Sequence, residues 1–234
     1  MLSDLKKELN KLANKEKAKL CLRFFKTKKG EYGEGDKFLG ISGPDQRKLA
    51  KKYQDIKFSD LQKIVGSSWH EYRQISFLIL VYKYQATKEE KTKKEIFNFY
   101  IKNHKGANNW DIVDITTPHV AGQYLYEFDH DTSLIYQYAK SKNIWERRIA
   151  ILATYAFIRN NIFDHTLKIS EILLYDQQDL IHKAVGWMLR EVGKRDQLVE
   201  ESFLKKYYQI MPRTMLRYAI EKFEETKRLK YLKK

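Results

Sequence analysis

Apolar residues return every three or four positions along most of this chain. Ile149, Leu152 and Ala156 do so, as do Ile181, Ala184, Val185 and Met188, and again Leu216, Ala219, Ile220 and Phe223. That spacing matches the turn of an α-helix and lines each set up on one face, whereas no segment alternates convincingly as a strand would. Helix breakers are scarce, with 3 Pro and 10 Gly in 234 residues. An all-α fold of about a dozen short helices joined by tight turns follows from ordinary helix and loop lengths.

Start signals recur along the sequence. Thr87–Glu90, Asn143–Glu146 and Ser68–Glu71 each have the spacing of a capping box. Thr117-Pro118 and Met211-Pro212 put proline where a helix begins. Successive helical pairs without a long heptad suggest stacked helix hairpins, an α-α superhelix in the manner of HEAT or armadillo repeats, although no repeated signature is visible. Such a stack offers a concave surface to an elongated partner. No linker divides it, so residues 1–234 are expected to form a single domain.

The segment from Thr27 to Pro44 breaks the pattern with Gly30, Gly33, Gly35, Gly40 and Gly43. Glu31, Glu34 and Asp36 would repel a phosphate and no Gly-Lys-Ser/Thr follows, so this is expected to be an ordered connecting loop with special backbone angles.

Charge narrows the partners. Lys and Arg total 45 against 30 Asp and Glu, a formal charge of +15. An excess of this size favours an anionic partner, with nucleic acid first and an acidic membrane surface second. A single cysteine, Cys21, allows no internal disulfide and fits a reducing compartment; it is expected to be buried in an apolar helix and inert. The N-terminus lacks the apolar stretch of a secretory signal, and the longest strongly apolar run, Phe77 to Tyr82, is far too short to cross a bilayer. The expectation is a soluble cytoplasmic protein.

Three groups of residues could carry chemistry. Trp110 and Asp114 lie one helical turn apart in Trp110-Asp111-Ile112-Val113-Asp114, which puts an indole and a carboxylate on one face. Taken alone, Asp114 reads better as a cap or as half of an ion pair. Trp187 shares a face with Lys183 and Arg190, away from the stripe of Ile181, Ala184, Val185 and Met188. A flat or anionic ligand there and simple packing with snorkelling charges explain it equally well. Arg147 and Arg148 suit bidentate phosphate contacts, one of them leaving the core side, yet paired charges at a helix start are often only solvated. Arg213 and Arg217 extend the basic inventory, while the tail Lys227, Arg228, Lys230, Lys233 and Lys234 reads as a solvated charge run.

Metal and nucleophile motifs are missing from the sequence, with no His-Glu-x-x-His, no cysteine pair and no Gly-x-Ser-x-Gly. The acidic cluster Glu127-Phe128-Asp129-His130-Asp131 reads better as a helix cap at Asp131 than as a metal site. No cofactor is expected.

Trp110–Asp114, Trp145-Glu146-Arg147-Arg148-Ile149-Ala150 and Lys183–Glu191 together resemble the DNA alkylation-repair glycosylases of the AlkD type. Phe38-Leu39-Gly40-Ile41 and the basic stretch from Pro44 resemble their N-terminal region, so the likeness spans nearly the whole chain. The resemblance implies a HEAT-like solenoid binding duplex DNA on a concave basic face, and base excision repair of cationic N3- or N7-alkylated purines without base flipping. It makes Asp114 the catalytic carboxylate and Trp110 and Trp187 the indoles beside the lesion. Arg148 or Arg147 becomes the arginine on DNA, with Lys183, Arg190, Arg213 and Arg217 as further basic contacts. A monomer on alkylated duplex DNA, with no membrane and no obligate protein partner, is the expected working form. Asn109 departs from relatives that carry an aromatic there. Two other readings use the same basic surface: a non-catalytic module for bent or branched DNA, and a scaffold for acidic proteins.

Overall fold

The structure, a computed structural model, describes residues 1–129 and 131–233. The described residues are helical and contain no strand; a lone bridge joins Lys37 and Trp69. No described helix is long and apolar enough to cross a membrane. The expected all-α fold is the observed one. The chain packs as two compact units, Met1–Ala121 and Gly122–Lys234.

The first unit holds α1 (Leu2–Lys11), α2 (Lys15–Phe24), α3 (Gly43–Lys52), α4 (Phe58–Leu61), α5 (His70–Ala86), α6 (Glu90–Lys102) and α7 (Trp110–Thr116). Its centre is α5, which packs against α3, α6 and α7. The run Ile75 to Val81 is buried on every side, as a helix enclosed by others requires. Each apolar side chain of the run contributes roughly 1.5–3 kcal/mol by leaving water.

The segment between α2 and α3 is the ordered loop expected. Glu71, at the head of α5 and fully buried, accepts the backbone N–H groups of Leu39, Gly40 and Ile41 at 2.9, 2.8 and 3.3 Å. The carboxylate thereby replaces the sheet or helix partners that this backbone lacks. Gly40 adopts φ +80°, and a Cβ there would fall 2.2 Å from the Asn14 carbonyl oxygen, so no other residue fits without displacing α2.

The second unit holds α8 (Ala121–Glu127), α9 (Ser133–Ala139), α10 (Ile144–Arg159), α11 (Asp164–Ile172), α12 (Asp179–Arg195), α13 (Gln197–Tyr207), α14 (Arg213–Ala219) and α15 (Glu225–Leu232). Here α10 is the enclosed helix, packed against α9, α11 and α12, and α12 also meets α13 and α14. The stripe Ile181, Ala184, Val185 and Met188 is buried as its spacing requires. Gly186 permits the close approach of α14: a Cβ there would lie 2.4 Å from the Met215 carbonyl oxygen and 2.5 Å from Tyr218 Cβ.

Several start signals hold and others do not. Asn143 caps α10, its Oδ1 accepting the Trp145 N–H at 2.8 Å. Asp131 accepts the Ser133 N–H at 2.9 Å at the head of α9, while His130 of the same acidic cluster lies outside the described residues. Thr87, by contrast, follows the end of α5, and α6 starts only at Glu90. Ser68 does not cap α5, whose N-cap is Trp69, and Glu71 turns to the loop rather than back to its own helix. A long-range carboxylate contact outcompetes the local capping box there. Cys21 is half-buried rather than buried, because α2 lies on the surface with Leu20, Leu22 and Phe24 exposed. Its thiol is pushed up by burial and then by the charges of Glu71 and Asp111, which disfavours the reactive thiolate.

Candidate active site

Trp110 is the first residue of α7 and Asp114 lies one turn on, so the indole and the carboxylate share one face, both half-buried. Ile112 and Val113 face the core and are fully buried. The indole rests on Phe25, with ring centroids 5.6 Å apart and planes at 31°, and meets Phe24 edge-on at 5.8 Å. Phe24 itself is 64 % exposed. Asn109 caps the helix, its Oδ1 accepting the Trp110 N–H at 2.8 Å.

Behind this face lies a buried polar cluster that sequence spacing did not reveal. Asp111 Oδ2 receives Gln74 Nε2 at 2.8 Å and lies 2.9 Å from His70 Nε2. The other imidazole nitrogen of His70 stands 3.5 Å from Asp36, whose two carboxylate oxygens each accept from Arg73 Nη2 at 2.8 Å. Burial pushes the His70 pKa down, but the hydrogen bond to Asp111 and the nearby Asp36 outweigh it and raise it to about 9. Burial would raise Asp36, yet His70 and Arg73 hold its carboxyl below the usual range.

In the second unit, Trp187 and Lys183 lie one turn apart on α12, away from the buried stripe. The Trp187 indole N–H donates to Glu191 Oε1 at 3.1 Å, and Tyr155 of α10 approaches the ring at 6.4 Å between centroids. Lys183 Nζ pairs with Asp179 at 2.7 Å and remains 39 % exposed; that bond, against a smaller desolvation effect, holds its pKa above the ordinary lysine value.

The other cations differ in how committed they are. Arg148 is only 4 % exposed and donates through Nη1 to the carbonyl of Leu180 at the start of α12. Arg147 binds Asp176 through Nε at 2.5 Å and the Ser141 and Lys142 carbonyls through Nη1 at 2.9 and 3.0 Å. The expectation that one arginine of the pair leaves the core side is met weakly, by Arg147 with 15 % of its side chain exposed. Arg190 pairs with Glu221 and lies 3.7 Å from Glu191. Arg213 Nη2 donates to the Leu232 carbonyl at 2.7 Å. Arg217 is exposed and engages no carboxylate among the described residues.

The family model described as DNA alkylation repair enzyme matches residues 5–223. A solved structure titled "Predicted DNA alkylation repair enzyme from Enterococcus faecalis" shares the fold, with a TM-score of 0.70 at 17 % identity over 91 % of this chain and 97 % of that one. No curated protein gives a significant match. The chain belongs to the DNA alkylation repair enzyme family. Its role therefore lies in DNA alkylation repair, and the charge of +15 finds its natural partner in DNA.

Proposed function

We propose that this protein is a DNA glycosylase that releases cationic N3- or N7-alkylated purines from duplex DNA, without flipping the lesion into a pocket. The observation that carries the reading is the shared face of Trp110 and Asp114 on α7, a half-buried carboxylate one turn from an indole in a strongly basic member of this family.

The chemistry follows from charge. An N3- or N7-alkylated purine is already cationic, so it departs as a neutral base and needs no general acid. The deoxyribose left behind becomes oxocarbenium-like as the glycosidic bond stretches. A fixed carboxylate stabilises such developing charge best where water is sparse, and Asp114 fills that role and orients the attacking water. Trp110, and Trp187 as the second indole, offer negative π faces to cationic species, each contact contributing about 0.5–2 kcal/mol.

Among the candidate cations, Lys183 and Arg217 keep exposed surface with which to meet phosphates. Arg148, Arg147, Arg190 and Arg213 would join them by exchanging the internal partners they now hold. Such contacts fix affinity and register but read no sequence, as a damage scanner requires. In this reading the whole chain works as one DNA-binding domain and as a monomer.

Incubating the full chain with methylated duplex DNA and analysing the free bases tests the proposal. Release of 7-methylguanine and 3-methyladenine is expected. Tight duplex binding with no free base would instead make the protein a non-catalytic reader of bent or branched DNA.

A further inference from the structure

Helix α7 has seven residues, too few to be stable from its own hydrogen bonds, yet it carries both Trp110 and Asp114. Its orientation must therefore come from outside, and two contacts converge on one residue. The first is polar. Asp111 spends Oδ1 on the N–H of Ile112 within the helix, at 2.9 Å, and presents Oδ2 to His70 and Gln74 of α5. The second is aromatic. The His70 ring is stacked on Phe25 at 5.0 Å and 30° and on Phe38 at 4.8 Å and 26°, and Phe25 in turn backs the Trp110 indole. The His70 ring itself is 2 % exposed, and Asp111 keeps only 15 % of its side-chain surface.

We propose that His70 is a positioning residue for the Trp110–Asp114 face: its buried imidazole fixes the first turn of α7 through Asp111 and sets the plane of the indole through Phe25. The inference rests on the reading of that face as catalytic, but its physical content is the placement of Trp110.

The charges around His70 give the device a pH dependence. Asp36 faces it from the loop, Asp111 from α7, and Arg73 and Glu71 from its own helix; the Cys21 thiol of α2, pushed up by burial, also senses Glu71 and Asp111. Glu71 is already engaged by three backbone N–H groups. Arg73, Asp36, His70 and Asp111 then alternate in sign and sum to zero while His70 is protonated. Loss of that proton, at about pH 9, leaves a buried excess of negative charge beside Asp111 and weakens its hold on α7.

The test uses the full chain labelled with 5-fluorotryptophan. The chain has 4 Trp, and the Trp110→Phe spectrum assigns the Trp110 resonance. In wild type the ¹⁹F signal of Trp110 is expected to titrate with a midpoint near 9, and in His70→Gln to sit at a shifted position and not titrate. Single-turnover base release by His70→Gln should fall about tenfold at neutral pH, because small misplacements of reacting groups are costly. Duplex affinity should change by less than about twofold, which separates positioning from binding. Asp111→Asn, which replaces the carboxylate by a neutral amide, should move the same titration to lower pH and serves should His70→Gln not fold. A Trp110 signal that titrates identically in both variants, or base release unchanged in both, would overturn the proposal. If wild type releases no base, the glycosylase reading fails alone, and the ¹⁹F titration still decides whether His70 places Trp110.

Discussion

The heads of α5 and α10 solve the same problem with the same device. Arg73 donates to the carbonyl of Ser67, six residues back, and to Asp36; Arg147 donates to the carbonyl of Ser141, also six residues back, and to Asp176. In each unit this charged head reaches the start of the helix that bears one of the two tryptophans of the proposed site, Trp110 or Trp187. The first does so from His70 to Asp111 of α7, the second from Arg148 to Leu180 of α12 and from Asp176 to the N–H of Gln178 at 2.8 Å. The two differ in the arginine: Arg73 keeps 3 % of its side-chain surface and Arg147 15 %, while Asp36 and Asp176 are equally buried at 5 %. Helix α12 has seventeen residues and a complete apolar stripe, so its position is set by packing. Helix α7 has seven and depends on the polar cluster. The short helix leans on buried charge, whereas the long one has its own packing stripe beside such contacts.

Deleting one arginine from each head measures that difference. Arg73→Ala removes the donor to both Asp36 oxygens in the interior, leaving His70 at 3.5 Å as its cation, and should cost about 3–5 kcal/mol of folding stability. Arg147→Ala removes a more exposed arginine and leaves Asp176 the N–H of Gln178 as a partner, so it should cost about 1–3 kcal/mol. Urea denaturation of both variants checks the order, and equal losses would break the comparison.

A second contrast concerns buried groups that titrate at the same place for opposite reasons. His70 is drawn up to about 9 by its carboxylate partners, whereas Glu200 of α13 is driven up to about 9 by burial and then by Glu201, with Arg190 opposing. Glu200 Oε1 has no hydrogen-bond partner among the described residues. Both folded pKa values lie above the unfolded ones, so both make stability fall as pH rises. The His70 contribution is complete below 6.5 and lost through about 9. The Glu200 contribution declines over the wider window from 4.5 to about 9. Between 4.5 and 6.5 only Glu200 of the pair acts, so Glu200→Gln should flatten the stability profile there and raise stability at neutral pH. His70→Gln should change the slope only above 6.5 and lower stability below it. Denaturation midpoints across pH give both curves; an unchanged slope in Glu200→Gln would remove that residue from the account.

The smallest expected effect isolates the ordinary local signal from these long-range ones. Asn143→Ala removes the cap of α10 and should cost about 1 kcal/mol, without altering the pH profile. A loss as large as that of Arg73→Ala would mean that the cap belongs to the buried network.

What was legible in the sequence follows this division between local and distant causes. The face of Trp110 and Asp114 and the stripe on α12 depend only on helical period, and both are present as read. The cap at Asn143 is local as well. The cluster of Asp36, His70, Arg73 and Asp111 joins residues far apart in the chain, and spacing carries no trace of it. The same cause misled the reading of Ser68–Glu71, where Glu71 serves a loop thirty residues upstream rather than its own helix. The pair Arg147 and Arg148 points to one cation leaving the core side, because the partners that hold both, Asp176 and Leu180, lie about thirty residues downstream. One trace was present: the Ser-to-Arg spacing of six recurs at both helix heads, and it marks the clamp.

The central claim is that the Asp114 carboxylate stabilises a deoxyribose turning cationic as the alkylated base leaves. Single-turnover release of 7-methylguanine by wild type and Asp114→Asn, with duplex affinity measured in parallel, tests it most directly. The account predicts a loss of at least about 10²-fold in release rate with affinity essentially retained. Release by Asp114→Asn at the wild-type rate would contradict it.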